Sequence, residues 1–234
     1  MKIHARHTER DSVSRKAVVL LSGGLDSAVA LYIAKKRGYD CHCLLFDYGQ
    51  RHRREIKSAR LIARMAGVRL HAVKLSLPWK GSSLTDRKRR LPIDRTIEDI
   101  NKKIPSTYVP SRNTIFLSMA SSLAEAIGAG TIFIGAHFED SSGYPDCRKD
   151  YLEAFRKVIA LGTKAGAENT LKLEFPLIDK SKSAIIKTGK NLGVPFALTW
   201  SCYKGASSPC RRCDSCILRA KGFKEAGIKD PSMK

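Results

Sequence analysis

Short apolar runs alternate with segments of helical periodicity along most of the chain. The five apolar residues at 17–21 are typical of a buried parallel strand, and the apolar positions that follow predict a helix over 26–37. The further elements predicted in this way are strands at 40–46, 69–75, 131–135 and 171–175, and helices at 53–66, 149–161 and 181–192, with one more that opens within 109–113 and runs to 127. Strands that alternate with helices indicate an α/β fold with a Rossmann-like parallel sheet and right-handed crossovers.

Two stretches depart from this alternation. Residues 76–107 combine several prolines with many charges, and so long a connection predicts a functional excursion or lid, with a short helix within 93–103. Residues 1–16 are polar and basic and lack the apolar segment of a secretory signal, so we expect a basic N-terminal tail. Since the chain has no apolar run of about 18 residues, we expect no membrane span and a cytoplasmic location.

The turn after the first strand, with the sequence SGGLDS at 22–27, offers a site for an anion. Gly23 and Gly24 allow backbone conformations that other residues resist, and they let a ligand approach the main chain closely. Because a helix follows at once, its first N–H groups and the positive end of its dipole point at one spot, which suits phosphate or pyrophosphate. The turn has neither the lysine of a Walker A loop nor the spacing of GxGxxG. The alternative is a plain strand–turn–helix corner with a Ser or Asp cap.

Three unusual loops, at 22–27, 47–52 and 137–146, each follow a predicted strand. The carboxyl ends of parallel strands meet at one edge of a sheet, and ligands bind there where the strand order reverses. We therefore expect the three loops to form one site. The histidines are dispersed and no Ser/His/Asp set is evident, so a nucleophilic triad is not expected.

Four of the seven cysteines are crowded near the C-terminus with the spacing C-x7-C-x2-C-x2-C: Cys202, Cys210, Cys213 and Cys216. Four thiolates complete a tetrahedral zinc site and leave no open position, which predicts a structural zinc ion. An iron–sulfur cluster is the main alternative. Four inert buried cysteines are the other, but charged residues at 211, 212 and 214 are interleaved with them. The predicted division is a tail at 1–16, an α/β domain with the anion-binding turn at 17–195 and a zinc-binding region at 196–234.

The charge balance is strongly basic. Lys and Arg number 43 against 22 Asp and Glu, which gives a formal net charge of +21. Such an excess attracts polyanions and fits either nucleic acid or nucleotide substrates. Because the basic residues are scattered rather than massed, a basic surface with weak, non-specific RNA affinity is favoured over a protein that reads nucleic-acid sequence.

The SGGLDS turn resembles the pyrophosphate loop of the ATP pyrophosphatases, which split ATP between the α and β phosphates and leave AMP on a substrate oxygen. Five further motifs follow in order: DYGQRH at 47–52, PSRN at 110–113, GYPDCR at 143–148, PL at 176–177 followed by Lys182, and TWSCY at 199–203. Together with the cysteine cluster, they resemble the 7-cyano-7-deazaguanine synthase family from about Ala17 to Phe223. Three features depart from the family pattern: Arg211 stands where glycine is expected, and the basic N-terminal tail and the excess of positive charge go beyond it.

The resemblance implies a specific reaction. In that family ATP adenylates 7-carboxy-7-deazaguanine, ammonia displaces AMP to give an amide, and a second ATP activates the amide so that loss of AMP leaves the nitrile used for queuosine or archaeosine. The implied cofactors are ATP and Mg²⁺, beside structural Zn²⁺. With no glutaminase domain in the chain, free ammonia is the expected nitrogen source, and the resemblance also suggests a homodimer.

The resemblance further assigns residues to this chemistry. The expected nucleotide-binding residues are Leu21, Ser22, Gly23, Gly24, Leu25, Asp26, Ser27, Ala28, Val29, Ala30 and Leu31. The expected catalytic residues are Asp26, Lys182 and Arg112. The expected substrate residues are Tyr48, Gln50, Arg51, Arg112, Tyr144 and Asp146.

Several of these assignments have a structural alternative. Lys182 is expected near the α-phosphate, and otherwise is a solvated lysine at a helix start. Asp146 is expected to accept hydrogen bonds from a guanine-like N–H edge, and otherwise is a turn residue. Tyr48 or Tyr144 is expected to stack on the base, and otherwise packs in the core.

Two other functions compete with this one. A tRNA-modifying enzyme of the same superfamily, of the thiolase or lysidine type, would want a nucleic-acid-binding appendage or a catalytic cysteine pair. A zinc-ribbon nucleic-acid module on an α/β scaffold would leave the pyrophosphate loop unexplained.

Overall fold

The computed structural model describes residues 15–137 and 143–232. The strands within these ranges are β1 (Lys16–Leu20), β2 (Asp40–Asp47), β3 (Arg69–Lys74), β4 (Thr131–Phe133) and β5 (Lys172–Glu174). The helices are α1 (Leu25–Lys36), α2 (Arg54–Ala66), α3 (Ile97–Lys102), α4 (Arg112–Ile127), α5 (Lys149–Gly162), α6 (Lys164–Ala167), α7 (Lys182–Asn191) and α8 (Asp214–Ala226). Single 3-10 turns lie at Pro145–Cys147 and Phe196–Leu198. Residues 1–14 of the expected tail lie outside the described ranges, and Lys16, assigned to that tail, begins β1.

Within the described ranges the five strands form one parallel sheet in the order β3-β2-β1-β4-β5. Strand β1 is central, with Val18 aligned with His42 on β2 and with Ile132 on β4. Strands β2 and β3 follow on one side of β1, and β4 and β5 then lie on its other side. The α/β Rossmann-like prediction is confirmed, and the turn after β1 lies where the strand order reverses.

Helices cover both faces of this sheet. Successive β1 residues point to opposite faces, so Val19 packs in the layer of α1, α2, α7 and α8 while Val18 packs against α4 and α5. Burial on both faces explains why β1 reads as a continuous apolar run rather than an alternating one. No helix in the described part of the chain is long and apolar enough to cross a bilayer.

The predicted elements are present, with most ends shifted by one or two residues. Strand β4 ends at Phe133 rather than at 135. Beyond it, Gly135 passes so close to the start of α1 that a Cβ atom there would lie 2.9 Å from the backbone of Asp26. Helix α8 was not predicted, because its sequence DSCILRAKGFKEA carries no strong apolar stripe.

The excursion at 76–107 packs against the sheet edge and the C-terminal region. Leu84 is buried, and its carbonyl accepts a hydrogen bond from the backbone N–H of Arg51 at 2.7 Å. Farther along, the Asp94 N–H donates to the Arg212 carbonyl at 2.8 Å, and Arg95 Nε donates to Asp214 Oδ1 at 3.0 Å. The short helix expected within 93–103 is present as α3. These contacts join the excursion to the cysteine-rich region.

Candidate active site

The glycine turn is shaped by the close approach of α2. Gly23 has φ of +89°, and a Cβ atom there would lie 2.1 Å from the carbonyl oxygen of Glu55. Only glycine fits that position. Gly24 differs from the expectation, because its φ of −76° is ordinary and its nearest contact for an added Cβ is Ser22 Oγ at 3.4 Å. The special conformation of the turn therefore rests on Gly23, whereas Gly24 has an ordinary conformation and lines the cavity.

Hydroxyl groups and backbone N–H groups line the inner side of this turn. Ser27 Oγ accepts from the Ser22 N–H at 3.2 Å, and Ser22 Oγ accepts from the Gly24 N–H at 3.3 Å. The two hydroxyl oxygens lie 3.1 Å apart. Gly24 is the N-cap of α1 and has no side chain with which to cap it, so the positive end of α1 faces the cavity. The arrangement suits a phosphate group.

A buried lysine lies against the start of α1. Lys182 opens α7, is only 8% exposed, and places Nζ 2.9 and 3.0 Å from the two carboxylate oxygens of Asp26. His137, which follows β4, places Nε2 2.8 Å from the same Nζ. The alternative of a solvated Lys182 is therefore wrong. Asp26 and Lys182 both line the cavity, so a positive and a negative charge stand beside the glycine turn.

Aromatic rings and an arginine form the opposite side of the cavity. Arg112 Nη1 donates to the Tyr48 hydroxyl at 3.3 Å, and its guanidinium lies 5.9 Å from the Tyr48 ring centroid and 6.0 Å from that of Phe116. Burial raises the pKa of Tyr48 to about 12, so its hydroxyl stays neutral. Phe46 stacks on Phe116 with centroids 3.9 Å apart, and the Tyr144 hydroxyl lies 2.7 Å from Thr107 Oγ1. Flat walls beside a fixed cation suit a planar, anionic ligand.

The glycine turn with Asp26 and Lys182, and the aromatic rings with Arg112, line one cavity of about 250 Å³. The predicted residues that line it are Leu21, Ser22, Gly24, Leu25, Asp26, Ser27, Tyr48, Arg112, Tyr144 and Lys182. The loop after β4 is described only in part, since residues 138–142 of the expected loop at 137–146 lie outside the described ranges.

Three predicted substrate residues stand behind the cavity wall instead. Gln50 is buried and bonds within its own loop, receiving the Tyr48 N–H at 2.9 Å. Arg51 Nη2 donates to the carbonyls of Asp86 and Arg89 at 3.0 and 2.9 Å. Asp146 is buried and accepts the Asn113 N–H at 2.9 Å, at the start of α4. Each of these side chains holds a loop that carries lining residues.

Four residues assigned to nucleotide binding belong to the protein core. These are Ala28, Val29, Ala30 and Leu31, each fully buried in α1. They pack the start of α1 against the sheet, which fixes the direction of the helix dipole.

The C-terminal region supplies a wall of the cavity that the sequence did not identify. The lining residues from this region are Trp200, Ser201, Tyr203, Ser215, Leu218 and Arg219. The backbone N–H of Trp200 donates to the Gly23 carbonyl at 2.9 Å, so this wall is bonded directly to the glycine turn. The TWSCY motif was visible in the sequence, but with α8 unpredicted nothing placed it beside the turn.

The four C-terminal cysteines converge as predicted. Their sulfur atoms all lie within 4.8 Å of one another. Since four thiolates 2.3 Å from one zinc ion stand about 3.8 Å apart in a tetrahedron, the cluster fits zinc. The thiol hydrogen bonds shared with Cys213 and Cys216 hold the pKa of Cys202 well below its usual range, which favours a thiolate at that position. Arg211 has φ of +60°, the conformation that the glycine expected there adopts without strain.

Known structures share this architecture. NMN synthetase from Francisella tularensis superposes with a TM-score of 0.50 and 16% sequence identity, over 92% of this chain and 79% of that one. At that identity the likeness concerns the fold. Together with the strand order, it defines the class of the chain as an α/β fold with a Rossmann-like parallel sheet.

Sequence comparison narrows the class to a family. The model of the family described as queuosine biosynthesis protein QueC matches residues 16–227, and the chain belongs to that family. The 7-cyano-7-deazaguanine synthase of Trichormus variabilis is 53% identical over 220 residues, covering 92% of this chain and 96% of that protein. The synthase of the same name from Thermoplasma acidophilum is 50% identical over 217 residues, covering 93% and 91%. The family resemblance seen in the sequence is confirmed.

Proposed function

We propose that the chain is a ligase that converts 7-carboxy-7-deazaguanine and ammonia to 7-cyano-7-deazaguanine at the expense of ATP. The observation that carries this proposal is that one cavity contains both the glycine turn, which suits an anion, and an aromatic chamber with an arginine. The aromatic chamber is formed by Phe46, Tyr48, Phe116 and Tyr144, and the arginine is Arg112. One end suits the triphosphate of a nucleotide, and the other suits a flat base that bears a carboxylate. The names borne by the relatives agree with this assignment.

The first half of the reaction makes the carboxylate reactive. A carboxylate oxygen attacks the α-phosphorus of ATP, the bond to the β-phosphate oxygen breaks, and pyrophosphate leaves. Ammonia then attacks the carbonyl carbon, AMP departs with the transferred oxygen, and a proton is lost to give the amide. Without adenylation the carboxylate oxygen is too poor a leaving group for ammonia to displace.

The second half repeats the activation on the amide. The amide oxygen attacks the α-phosphorus of a second ATP, and pyrophosphate leaves again. Loss of AMP and of the N–H protons then forms the carbon–nitrogen triple bond. Both halves of the reaction need the same pyrophosphate-binding turn, because each releases pyrophosphate and leaves AMP on the substrate.

We assign residues that line the cavity to these steps. The N–H groups at the start of α1 and the hydroxyls of Ser22 and Ser27 would receive the departing pyrophosphate. Lys182, held beside the turn by Asp26, would neutralise charge on the α-phosphate. Arg112 would pair with the substrate carboxylate between the aromatic walls.

Two metal ions complete the proposal. Asp26 lines the cavity, and its carboxylate, which accepts from Lys182, would also hold Mg²⁺, which offsets phosphate charge when bound. The four cysteines would hold a structural zinc ion that orders the C-terminal wall of the cavity. Four expectations from the sequence stay predictions. They are a homodimer, a cytoplasmic location, use of the nitrile for archaeosine as well as queuosine, and weak contact with RNA.

The experiment supplies the purified chain with 7-carboxy-7-deazaguanine, ammonium and ATP, and follows nitrile, amide and AMP by mass spectrometry. We expect nitrile formation that depends on ATP and ammonium. Lys182→Met should lower turnover by about 10²-fold or more, whereas Lys187→Met, an exposed change on the same helix, should not. Absence of nitrile together with tRNA-dependent ATP cleavage would contradict the proposal and support the tRNA-modifying alternative.

A further inference from the structure

Arg219 of α8 lines the cavity, yet its guanidinium is fully engaged by the protein. Nε donates to Asp230 Oδ2 at 2.7 Å, and Nη2 donates to Asp230 Oδ1 at 2.9 Å and to the Phe196 carbonyl at 3.3 Å. Nη1 donates to Thr199 Oγ1 at 2.8 Å and to Ser201 Oγ at 3.3 Å. An arginine side chain has five N–H donors, and these contacts use all five. Arg219 is therefore committed to holding protein rather than ligand.

The segment that Arg219 holds is bonded to the glycine turn. Thr199 and Ser201 flank Trp200, whose N–H donates to the Gly23 carbonyl at 2.9 Å. On the other side, the Arg54 guanidinium lies 4.4 Å from the Trp200 ring centroid. Gly23 is the residue whose conformation tolerates no side chain. A continuous series of contacts thus runs from Asp230 through Arg219 and Trp200 to the turn.

This ion pair is buried, which makes it sensitive to the loss of either partner. Arg219 is 5% exposed and Asp230 is 7% exposed. A buried pair adds little net stability compared with apolar packing, but the removal of one member leaves an uncompensated charge. In some proteins a buried pair fixes one arrangement of the chain, and here Arg219 bonds the 196–201 segment at Phe196, Thr199 and Ser201.

We propose that Arg219, supported by Asp230, is a positioning residue that holds the glycine turn in the geometry that binds the nucleotide. This inference rests on the proposed function, since it concerns the same cavity. It assigns to the end of the C-terminal region a role that is separate from metal binding. Loosening the 196–201 segment releases the Gly23 carbonyl, so the turn loses its fixed shape, while Phe46 on β2 and Arg112 and Phe116 on α4 keep their places in the aromatic wall.

The test compares binding of two ligands to the zinc-loaded full chain. Calorimetry measures α,β-methylene ATP with Mg²⁺, which cannot be cleaved between the α and β phosphates, and separately 7-carboxy-7-deazaguanine. Arg219→Lys and Asp230→Asn should weaken nucleotide binding by about tenfold or more while leaving the affinity for the base within about twofold. Thr199→Val, a milder change that removes one acceptor of Arg219, should give a smaller loss in the same direction.

Two control variants separate positioning from general destabilisation. Ile159→Ala truncates a buried side chain of α5 on the other face of the sheet and should lower the melting temperature without changing nucleotide affinity. Lys224→Gln alters only an exposed side chain of α8 and should change neither. Zinc content is measured for every variant and should be unchanged.

The possible outcomes are distinguishable. Unchanged nucleotide affinity in Thr199→Val and in whichever of the other two variants folds would overturn the inference and leave the proposed function intact. An equal loss in Ile159→Ala would also overturn it. If the unmodified chain binds no nucleotide, the proposed function fails, and this inference fails with it.

Discussion

Adding one methyl group to each glycine of the turn tests how the turn is built. In Gly23→Ala the new Cβ meets the Glu55 carbonyl oxygen at 2.1 Å, and the residue must hold φ of +89°. A left-handed conformation costs a non-glycine residue roughly 1–2 kcal/mol, and forced overpacking costs roughly 1–3 kcal/mol. The free energy of unfolding should therefore fall by about 2–5 kcal/mol, a large part of the ~5–15 kcal/mol that stabilises a typical domain.

The matched change, Gly24→Ala, should behave differently. Gly24 has φ of −76°, and the added Cβ would lie 3.4 Å from Ser22 Oγ, an ordinary contact. Its free energy of unfolding should stay within about 0.5 kcal/mol of the unmodified chain. Because Gly24 lines the cavity, the methyl group should instead obstruct a bound phosphate and weaken nucleotide binding.

Thermal unfolding of the zinc-loaded proteins, followed by circular dichroism, separates the two effects. At about 2–4 °C per kcal/mol for a chain of this size, Gly23→Ala should lower the melting temperature by roughly 4–20 °C, and Gly24→Ala by about 2 °C at most. Equal melting temperatures for Gly23→Ala and the unmodified chain would refute the reasoning. A Gly24→Ala protein that binds α,β-methylene ATP normally would refute the proposed path of the phosphate.

Three further predictions follow from the cysteine region and the sheet. Arg211→Gly should stabilise the zinc-loaded protein by about 0.5–1 kcal/mol, because the exposed Arg211 has φ of +60°; a lower melting temperature would contradict this. Cys216→Ser should lose the metal, seen as a zinc-to-protein ratio near zero, and a ratio near one would show that Cys216 is not a ligand. Burial lowers the pKa of His42 below 6.5, against the opposing effect of the Asp40 carboxylate. The nearby Arg69, His71 and Lys16 lower it further. Because His42 binds a proton less readily in the folded chain, protonation favours the unfolded chain. The stability that neutral His42 provides is thus present above pH 6.5 and falls as the pH drops towards its folded pKa; His42→Gln should flatten this part of the melting-temperature profile, and an unchanged slope would contradict it.

The sequence predicted those parts of the fold that follow from periodicity. Strand β1 and helix α1 are rich in apolar residues all round and helix α2 has a marked apolar face, so their positions were correct to within about two residues. Helix α8 was missed because its apolar residues do not form a clear stripe and its first turn carries Cys216. The motif at 199–203 could be read but not placed, since its position depends on long-range contacts such as that between Trp200 and Gly23.

For the candidate site too, the sequence predicted some features and could not predict others. Residue type and spacing were sufficient to find the turn at 22–27 and the four cysteines, because chemistry at those positions demands particular residues. They could not distinguish a side chain that faces the cavity from one that holds a loop behind it. Lys182 faces the cavity although a solvated position was as plausible, whereas Asp146 turns away to bond Asn113. That difference is set by tertiary packing.

The path of the substrate oxygens tests the central claim most directly. The carboxylate of 7-carboxy-7-deazaguanine is labelled on both oxygens with the heavy isotope, and the products are analysed by mass spectrometry after turnover with ammonium and ATP. If the acid and then the amide are adenylated at this turn, each nitrile forms with two AMP molecules that carry one heavy oxygen apiece, and the pyrophosphate stays unlabelled. Label in pyrophosphate or phosphate, or nitrile formed without labelled AMP, would contradict the account.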